Sequence, residues 1–143
     1  MKGILLIILL LSLKSYSQDF IGKWKVFSYE DEIAYYNKTK DFIIYKNPTR
    51  KDEAESFKQM SEIIIFSVTY TFESNGKFIN DFPAIGETVI GSFEVDKSNK
   101  KIVMIDNEGK KDELKYSYNE GILFLEMNME TGYIKLGLVK VSK

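Results

Sequence analysis

The sequence predicts an all-β protein with one short helix, in which about eight antiparallel strands form a meander that closes into a barrel. Three observations lead to this fold class. Short segments of alternating apolar and polar residues recur after residue 62, tight-turn sequences separate them, and one helical pattern precedes them. A sheet of about eight strands can close on itself and so remove its exposed edges.

The first strand is predicted at residues 24–29, where aromatic and β-branched residues are frequent. The segment that follows is less regular, and within it residues 41–46 are compatible with a short strand. Antiparallel neighbours need only a short connection, so the 32 residues from position 31 to position 62 form a long insertion.

One helix is predicted inside this insertion. Asn47 and Pro48 favour a helix start, as the N-cap and the first helical residue. Residues 50–61 follow with high helix propensity. They carry a narrow apolar stripe that we expect to pack against the barrel: Ala54, Phe57 and Met60.

The hydrophobic period changes from helical to two at residue 63. We expect a strand over residues 63–73, followed by a hairpin turn at Asn75 and Gly76, because both residues tolerate a positive φ. Further strands are expected near residues 77–80, 87–95, 101–106, 111–118, 122–129 and 133–141. The apolar face of the 63–73 segment should point inward: Ile64, Phe66, Val68, Tyr70 and Phe72.

The first 17 residues have the features of a signal peptide. Lys2 is followed by an apolar run over residues 3–13 and then by small residues at Ser15 and Ser17. As a helix that run spans about 17 Å, well short of a hydrocarbon core about 30 Å thick. We therefore expect cleavage before Gln18, a mature domain over residues 18–143, and export to the periplasm or beyond the cell.

The charge balance gives no reason to expect a nucleic-acid partner. Without Lys2 and Lys14, the mature chain would carry a net charge of about −3 at neutral pH. That sign favours neither phosphate backbones nor anionic lipid, and we expect no membrane embedding after signal cleavage. The chain also has no cysteine, so its stability must come from core burial without disulfides.

The residue types present exclude several catalytic chemistries. Without histidine or cysteine there can be no Ser-His-Asp triad, no Cys-His pair and none of the usual zinc sites. No glycine-rich phosphate loop is present either. We expect no metal, no cofactor and no enzymatic activity, although an acid–base enzyme that uses Glu and Tyr is an alternative. Carboxylates cluster at residues 30–32 and 52–55, but adjacent side chains diverge, which favours a solvated surface.

The stretch Phe20-Ile21-Gly22-Lys23-Trp24 resembles the start of the lipocalin-like domains found among small exported bacterial proteins. Residues 70–78, 91–95 and 133–141 are similar to that family's aromatic hairpin, mid-barrel strand and closing strand. The resemblance to this calycin-type family implies a closed or nearly closed lipocalin-like barrel. It also implies that a basic residue, here Lys135 or Lys140, packs on Trp24. Some relatives bind hydrophobic ligands.

A small hydrophobic ligand inside the barrel is the function that we expect, and the aromatic content is the enriched feature that could serve it. Tyrosines would supply a few polar contacts within an apolar wall. The insertion at residues 31–62 would form a lid over the barrel mouth. The expected ligand-binding residues are Tyr70, Phe72, Tyr116 and Tyr118 beneath the lid, with Tyr35 and Tyr36 in it.

Two other interpretations stay open. The first is a filled barrel without a ligand that serves as an envelope or secreted protein-interaction or structural module, since about eight strands leave an interior just wide enough for side chains. The second is an outer-membrane barrel, which would need an apolar outer face. The predicted strand at residues 111–118 argues against it, because Glu113, Lys115 and Ser117 share one face.

Overall fold

A computed structural model describes residues 20–141 of the chain. The predicted signal peptide at residues 1–17 therefore lies outside the described residues. The strands are β1 (Gly22–Glu30), β2 (Ala34–Asn37), β3 (Phe42–Tyr45), β4 (Thr69–Phe72), β5 (Lys77–Phe82), β6 (Glu87–Asp96), β7 (Lys101–Asp106), β8 (Lys111–Asn119), β9 (Ile122–Met129) and β10 (Gly132–Lys140). Between β3 and β4 a 3₁₀ turn (Pro48–Arg50) leads into the α-helix α1 (Lys51–Ile64).

Eight of these strands form a closed antiparallel barrel, as the sequence predicts. Strands β4 to β10 pair in chain order, and β1 closes the barrel by pairing with both β4 and β10. Trp24, for example, lies opposite Tyr70 on one side and opposite Lys140 on the other. The fold is therefore mostly sheet, with a single short α-helix in the part of the chain that the structure describes.

Two additional strands extend the sheet beyond the barrel. The first half of β1 pairs with β4, whereas its second half, from Ser28 to Glu30, pairs with β2. Strand β3 pairs with β2 and lies at the end of the strand order. The predicted strand within residues 41–46 is thus confirmed as β3, and β2 occupies the segment that the sequence left irregular.

A β-bulge in β1 lies where the strand changes its neighbour from β4 to β2. The register with β10 shifts between Val26 and Ser28, so the inward positions change from Trp24 and Val26 to Tyr29. Opposite the bulge, a Cβ atom on Gly137 would overlap the Ser28 hydroxyl. A larger residue at position 137 would therefore have to displace the Ser28 side chain.

The helix ends later than predicted, and β4 is correspondingly short. Residues 63–73 were expected to form one strand, but α1 runs through Ile64, and the amides of Ile65 and Phe66 both donate to the Ser61 carbonyl. The expected inward position of Ile64 is therefore wrong, because its side chain is 41% exposed. The remaining inward positions are confirmed as buried: Phe66, Val68, Tyr70 and Phe72.

Helix α1 packs on the extended part of β1 and on β2. Phe57 contacts the Tyr29 ring edge-on at 5.0 Å, and Phe66 contacts the Tyr36 ring at 5.5 Å. We call Tyr29, Tyr36, Phe57 and Phe66 the helix cluster. Within the predicted apolar stripe Ala54 is buried and Phe57 is half-buried, but Met60 is 48% exposed, so the stripe is narrower than expected.

The two ends of the barrel differ. At the end formed by the β4–β5, β6–β7 and β8–β9 turns, Trp24 is fully buried and its Nε1 donates to the Phe20 carbonyl at 2.9 Å. We call this the closed end. The β5–β6, β7–β8 and β9–β10 turns lie at the opposite end, which we call the open end.

Candidate ligand cavity

A cavity of about 500 Å³ lies at the open end of the barrel. Its volume is within the range of about 300–1,000 Å³ that small-molecule sites occupy. Strands β4 to β9 and the β7–β8 turn contribute its wall. The lining residues are Tyr70, Phe78, Asn80, Phe82, Val89, Met104, Asp106, Lys110, Asp112, Glu113, Leu114, Met127, Asn128 and Met129.

Tyr70 and Asn80 form the buried polar part of this wall. They lie directly opposite each other on β4 and β5, so their side chains share the inner face of the sheet. Asn80 is only 7% exposed, and its Oδ1 atom has no hydrogen-bond partner among the described residues. Burial raises the pKa of the Tyr70 phenol to about 12, so the hydroxyl stays protonated at neutral pH.

Gly91 lets two neighbours approach β6 closely beside the cavity. A Cβ atom there would lie 2.7 Å from the ring of Phe78 and would overlap the Ile105 carbonyl oxygen. Gly91 pairs with Phe78 on β5 and with Asp106 on β7, and its lack of a side chain leaves room for the Phe78 ring. Any larger residue would displace a side chain of the cavity wall.

Four charged residues line the cavity towards the β7–β8 turn. Asp106 Oδ1 accepts hydrogen bonds from the backbone amides of Glu108 and Lys110, at 2.9 and 2.8 Å. The Asp112 carboxylate lies 3.9 Å from the Lys110 ammonium, and both side chains are largely exposed. Glu113 is paired with lysines outside the cavity wall, Lys101 at 3.5 Å and Lys111 at 3.1 Å.

The structure does not bring the six predicted ligand-binding residues into one site. Tyr70 lines the cavity. Phe72 is fully buried and packs on Phe93 with ring centroids 4.9 Å apart. At the closed end, Tyr116 contacts Phe20 at 4.8 Å, and Tyr118, which is 42% exposed, contacts Trp24 at 6.3 Å.

The other two predicted residues lie in the β2–β3 extension. Tyr35 contacts the ring of Phe42 at 5.8 Å. Tyr36 is buried, and its hydroxyl lies 3.0 Å from a Glu62 carboxylate oxygen and 3.2 Å from one of Asp41. Burial first, and then the hydrogen bond to Glu62, raise the pKa of the Tyr36 phenol.

The expected lid over the barrel mouth is not where the sequence suggested. No residue between positions 31 and 66 lines the cavity. Helix α1 lies instead beside the barrel, where it packs through the helix cluster. A 32-residue insertion can bury its apolar stripe without crossing the barrel mouth, because β1 extends past the barrel and offers Tyr29 as a packing surface.

Several cavity residues were missed by sequence reasoning, and Asn80 is the most informative of them. Phe78 and Asn80 were placed in the same predicted strand, where alternation puts both on the inner face. A polar residue on an apolar inner face is the signal that would have identified Asn80. Met104 and Met127 gave no comparable signal, because buried methionines are ordinary core residues.

Residues 20–141 contain neither a cluster of metal-ligating side chains nor a membrane-spanning helix. No three acidic side chains in this range lie close enough together to hold a metal ion. Likewise, no helix that the structure describes is long and apolar enough to cross a bilayer.

Comparison with known proteins gives a likeness of fold. The barrel is similar to the crystal structure of a DUF4847 family protein from Bacteroides vulgatus ATCC 8482, with a TM-score of 0.51 and 16% sequence identity. The superposition covers 85% of this chain and 94% of that chain. No family model matches the sequence, and no curated protein matches it either.

Proposed function

We propose that this protein binds a small hydrophobic ligand in the cavity at the open end of the barrel, and that it acts by binding rather than by catalysis. The observation that carries the proposal is Asn80, a residue that lines a cavity of about 500 Å³ and whose Oδ1 atom is buried without a partner among the described residues. Leaving a buried amide oxygen without a donor costs about 1–3 kcal/mol. A ligand that donates a hydrogen bond there would recover part of this cost.

The rest of the wall suits the apolar body of such a ligand. Aromatic and aliphatic side chains such as Phe82, Val89 and Met104 surround the amide, and methionine adapts to ligands of irregular shape. The protonated Tyr70 hydroxyl beside Asn80 adds a donor, so one end of the ligand can both donate and accept.

Isothermal titration of the protein with 1-octanol tests this proposal. We expect saturable binding with one site per chain. Val89→Trp places a large ring in the cavity and should abolish binding, whereas Val103→Trp, on the outer face of β7, should leave it unchanged. Absence of binding to the wild type, or equal binding to the Val89→Trp variant, would refute a ligand site here.

We also propose that the barrel is lipocalin-like. Gly22 and Trp24 reproduce the expected Gly-x-Trp pattern at the start of β1, and Lys140 places its ammonium 5.2 Å from the Trp24 ring. Of the two lysines considered, Lys135 lies instead over the ring of Phe124, at 5.0 Å. These contacts at the closed end of the barrel support the lipocalin interpretation.

Export to the periplasm or the extracellular space is the third part of the proposal. Its support is the apolar run over residues 3–13 followed by Ser15 and Ser17. Intact-mass analysis of the protein recovered from outside the cytoplasm should give a species that begins at Gln18. Recovery of a species that still contains residues 5–10 would contradict cleavage.

A protein-interaction module is a second candidate function, and the open edge of β3 favours it. The Lys46 amide donates to Ile33 beside β2, so the amides of Ile43 and Tyr45 point to the free edge. We propose a second copy of this chain as the occupant, paired antiparallel with Ile44 opposite its own copy. That register opposes no like charges, because Phe42 then faces Lys46.

Light scattering coupled to size-exclusion chromatography tests this second candidate. Pairing through β3 predicts a dimer at micromolar concentration that Ile43→Pro converts to a monomer, since proline removes an outward-pointing amide. Proline at position 79 would break a barrel strand, so Ile79→Pro cannot serve as the control. The control is Ile85→Ser, in the exposed β5–β6 turn. A wild type that is monomeric at all concentrations would rule out the edge as a contact between copies.

A further inference from the structure

We infer that the cavity selects an apolar molecule bearing a protonated amine, a cationic amphiphile, over a neutral or anionic molecule of the same shape. This inference rests on the proposed ligand-binding function and adds the charge of the ligand to it. Two independent features of the cavity wall carry it: the unpaired acceptor at Asn80 and the sign of the charges that line the cavity.

The buried polar atom of the wall that lacks a hydrogen-bond partner is an acceptor. Asn80 Oδ1 is buried without a partner among the described residues, and a protonated amine can donate up to three hydrogen bonds. A ligand carboxylate has no proton to offer this oxygen at neutral pH. An anionic ligand would therefore leave the buried oxygen of Asn80 unsatisfied or oblige the amide to turn over.

The charged residues of the wall have a negative balance. Glu113 is already paired with two lysines outside the wall, so the carboxylates of Asp106 and Asp112 stand against one ammonium, on Lys110, which gives a formal charge of −1. At the solvent-accessible rim of the cavity, this charge raises the local concentration of cations and lowers that of anions, most strongly at low salt. The wall thus discriminates by charge before any specific contact forms.

Asp112 is the carboxylate best able to pair with a ligand. Glu113 has two lysine partners, and Asp106 uses one oxygen to accept two amides of the β7–β8 turn. Asp112 has its Lys110 partner at 3.9 Å, the longest of the ion pairs in the described chain. A ligand ammonium can approach Asp112 without breaking a short contact.

Titration with three probes of equal chain length tests the inference: n-octylammonium, 1-octanol and octanoate, at pH 7 and low salt. We expect octylammonium to bind at least about threefold more tightly than octanol, and octanoate more weakly than octanol. The preference should shrink as salt is added, because the charges lie at a solvent-accessible rim.

Asp112→Asn removes the charge and keeps the shape of the side chain. It should reduce the affinity for octylammonium at least about threefold and leave octanol binding unchanged. Glu94→Gln, which removes an exposed carboxylate on the outer face of β6, is the matched control and should change neither.

The outcomes separate the inference from the function beneath it. If octanoate binds as tightly as octylammonium, or if Asp112→Asn and Glu94→Gln have equal effects, the charge selectivity is refuted while ligand binding stands. If none of the three probes binds, the proposed function fails and the inference fails with it.

Discussion

The Nζ atom of Lys140 lies 5.2 Å from the centroid of the Trp24 ring, at the last residue of β10 and near the start of β1. The two strands close the barrel at this point, and the side chain of Trp24 is fully buried. The tryptophan is therefore a packing element of the closed end, held by Phe20 from one side and covered by Lys140.

Replacing Trp24 with alanine should destabilise the barrel strongly. Deleting a buried large aromatic residue costs about 3–5 kcal/mol, since the cavity that remains can collapse only in part. Chemical denaturation followed by far-ultraviolet circular dichroism measures the loss. A decrease in the free energy of unfolding below about 1 kcal/mol would mean that Trp24 does not support the closed end.

The contribution of Lys140 to this end is expected to be smaller. A cation over an aromatic ring near solvent stabilises by about 0.5–1 kcal/mol, and Lys140→Ala should lose about that amount in the same denaturation experiment. Lys25→Ala, an exposed lysine on the same strand as Trp24, is the control and should be nearly neutral. Equal effects of the two substitutions would argue that the contact adds nothing specific.

The acid stability of the protein should depend on Glu30. Burial alone would raise the pKa of this carboxyl, but hydrogen bonds from Lys46 at 2.9 Å and Tyr133 at 3.0 Å outweigh burial and lower the pKa. A lowered folded-state pKa stabilises the protein above the ordinary carboxyl pKa, and that stabilisation is lost as the pH falls through the folded-state value.

Glu30→Gln should therefore destabilise the protein at neutral pH, by about 0.5–1 kcal/mol for a largely surface pair. The difference from the wild type should shrink as the pH is lowered from about 6 to about 3, since the wild-type carboxyl is then protonated as well. Urea denaturation at several pH values measures it, with Glu94→Gln as the control. A difference that is constant with pH would contradict the linkage.

The barrel could be predicted from the sequence because its information is local. Turn residues such as Asn75 and Gly76 fix a hairpin between adjacent strands, and strict alternation assigns each side chain to a face. The Ile63–Phe66 run was misassigned because β-branched residues favour strands on average. Here the helix continues through Ile64, and the amides of Ile65 and Phe66 end it by donating to the Ser61 carbonyl.

The candidate site could be predicted only in part, since alternation gives the face of a residue but not its height along the barrel axis. Tyr70 and Tyr116 both lie on inward positions, yet Tyr70 lines the cavity and Tyr116 lies near Phe20 at the opposite end. Height depends on the stagger between neighbouring strands, and the bulge in β1 changes that stagger. No short sequence pattern reports it.

Helix α1 should be coupled to the barrel through Phe57. This half-buried ring contacts Tyr29 edge-on at 5.0 Å, and it lies one helical turn before the exposed Met60. Phe57→Ala should cost about 2 kcal/mol, below the range for a fully buried ring, because part of the side chain is already in water. Met60→Ala removes a side chain of comparable size from the same helix and should cost less than about 0.5 kcal/mol.

Hydrogen exchange distinguishes loss of the helix from loss of the whole fold. In the Phe57→Ala variant, amides of Lys51–Ile64 should exchange markedly faster, while those of Leu123 and Leu125 in β9 keep the protection of the closed barrel. The reason is that the helix cluster lies beside the barrel, so α1 can open without separating β1 from β10. A uniform loss of protection across α1 and β9, or an equal loss in Met60→Ala, would show instead that helix and barrel unfold as one unit.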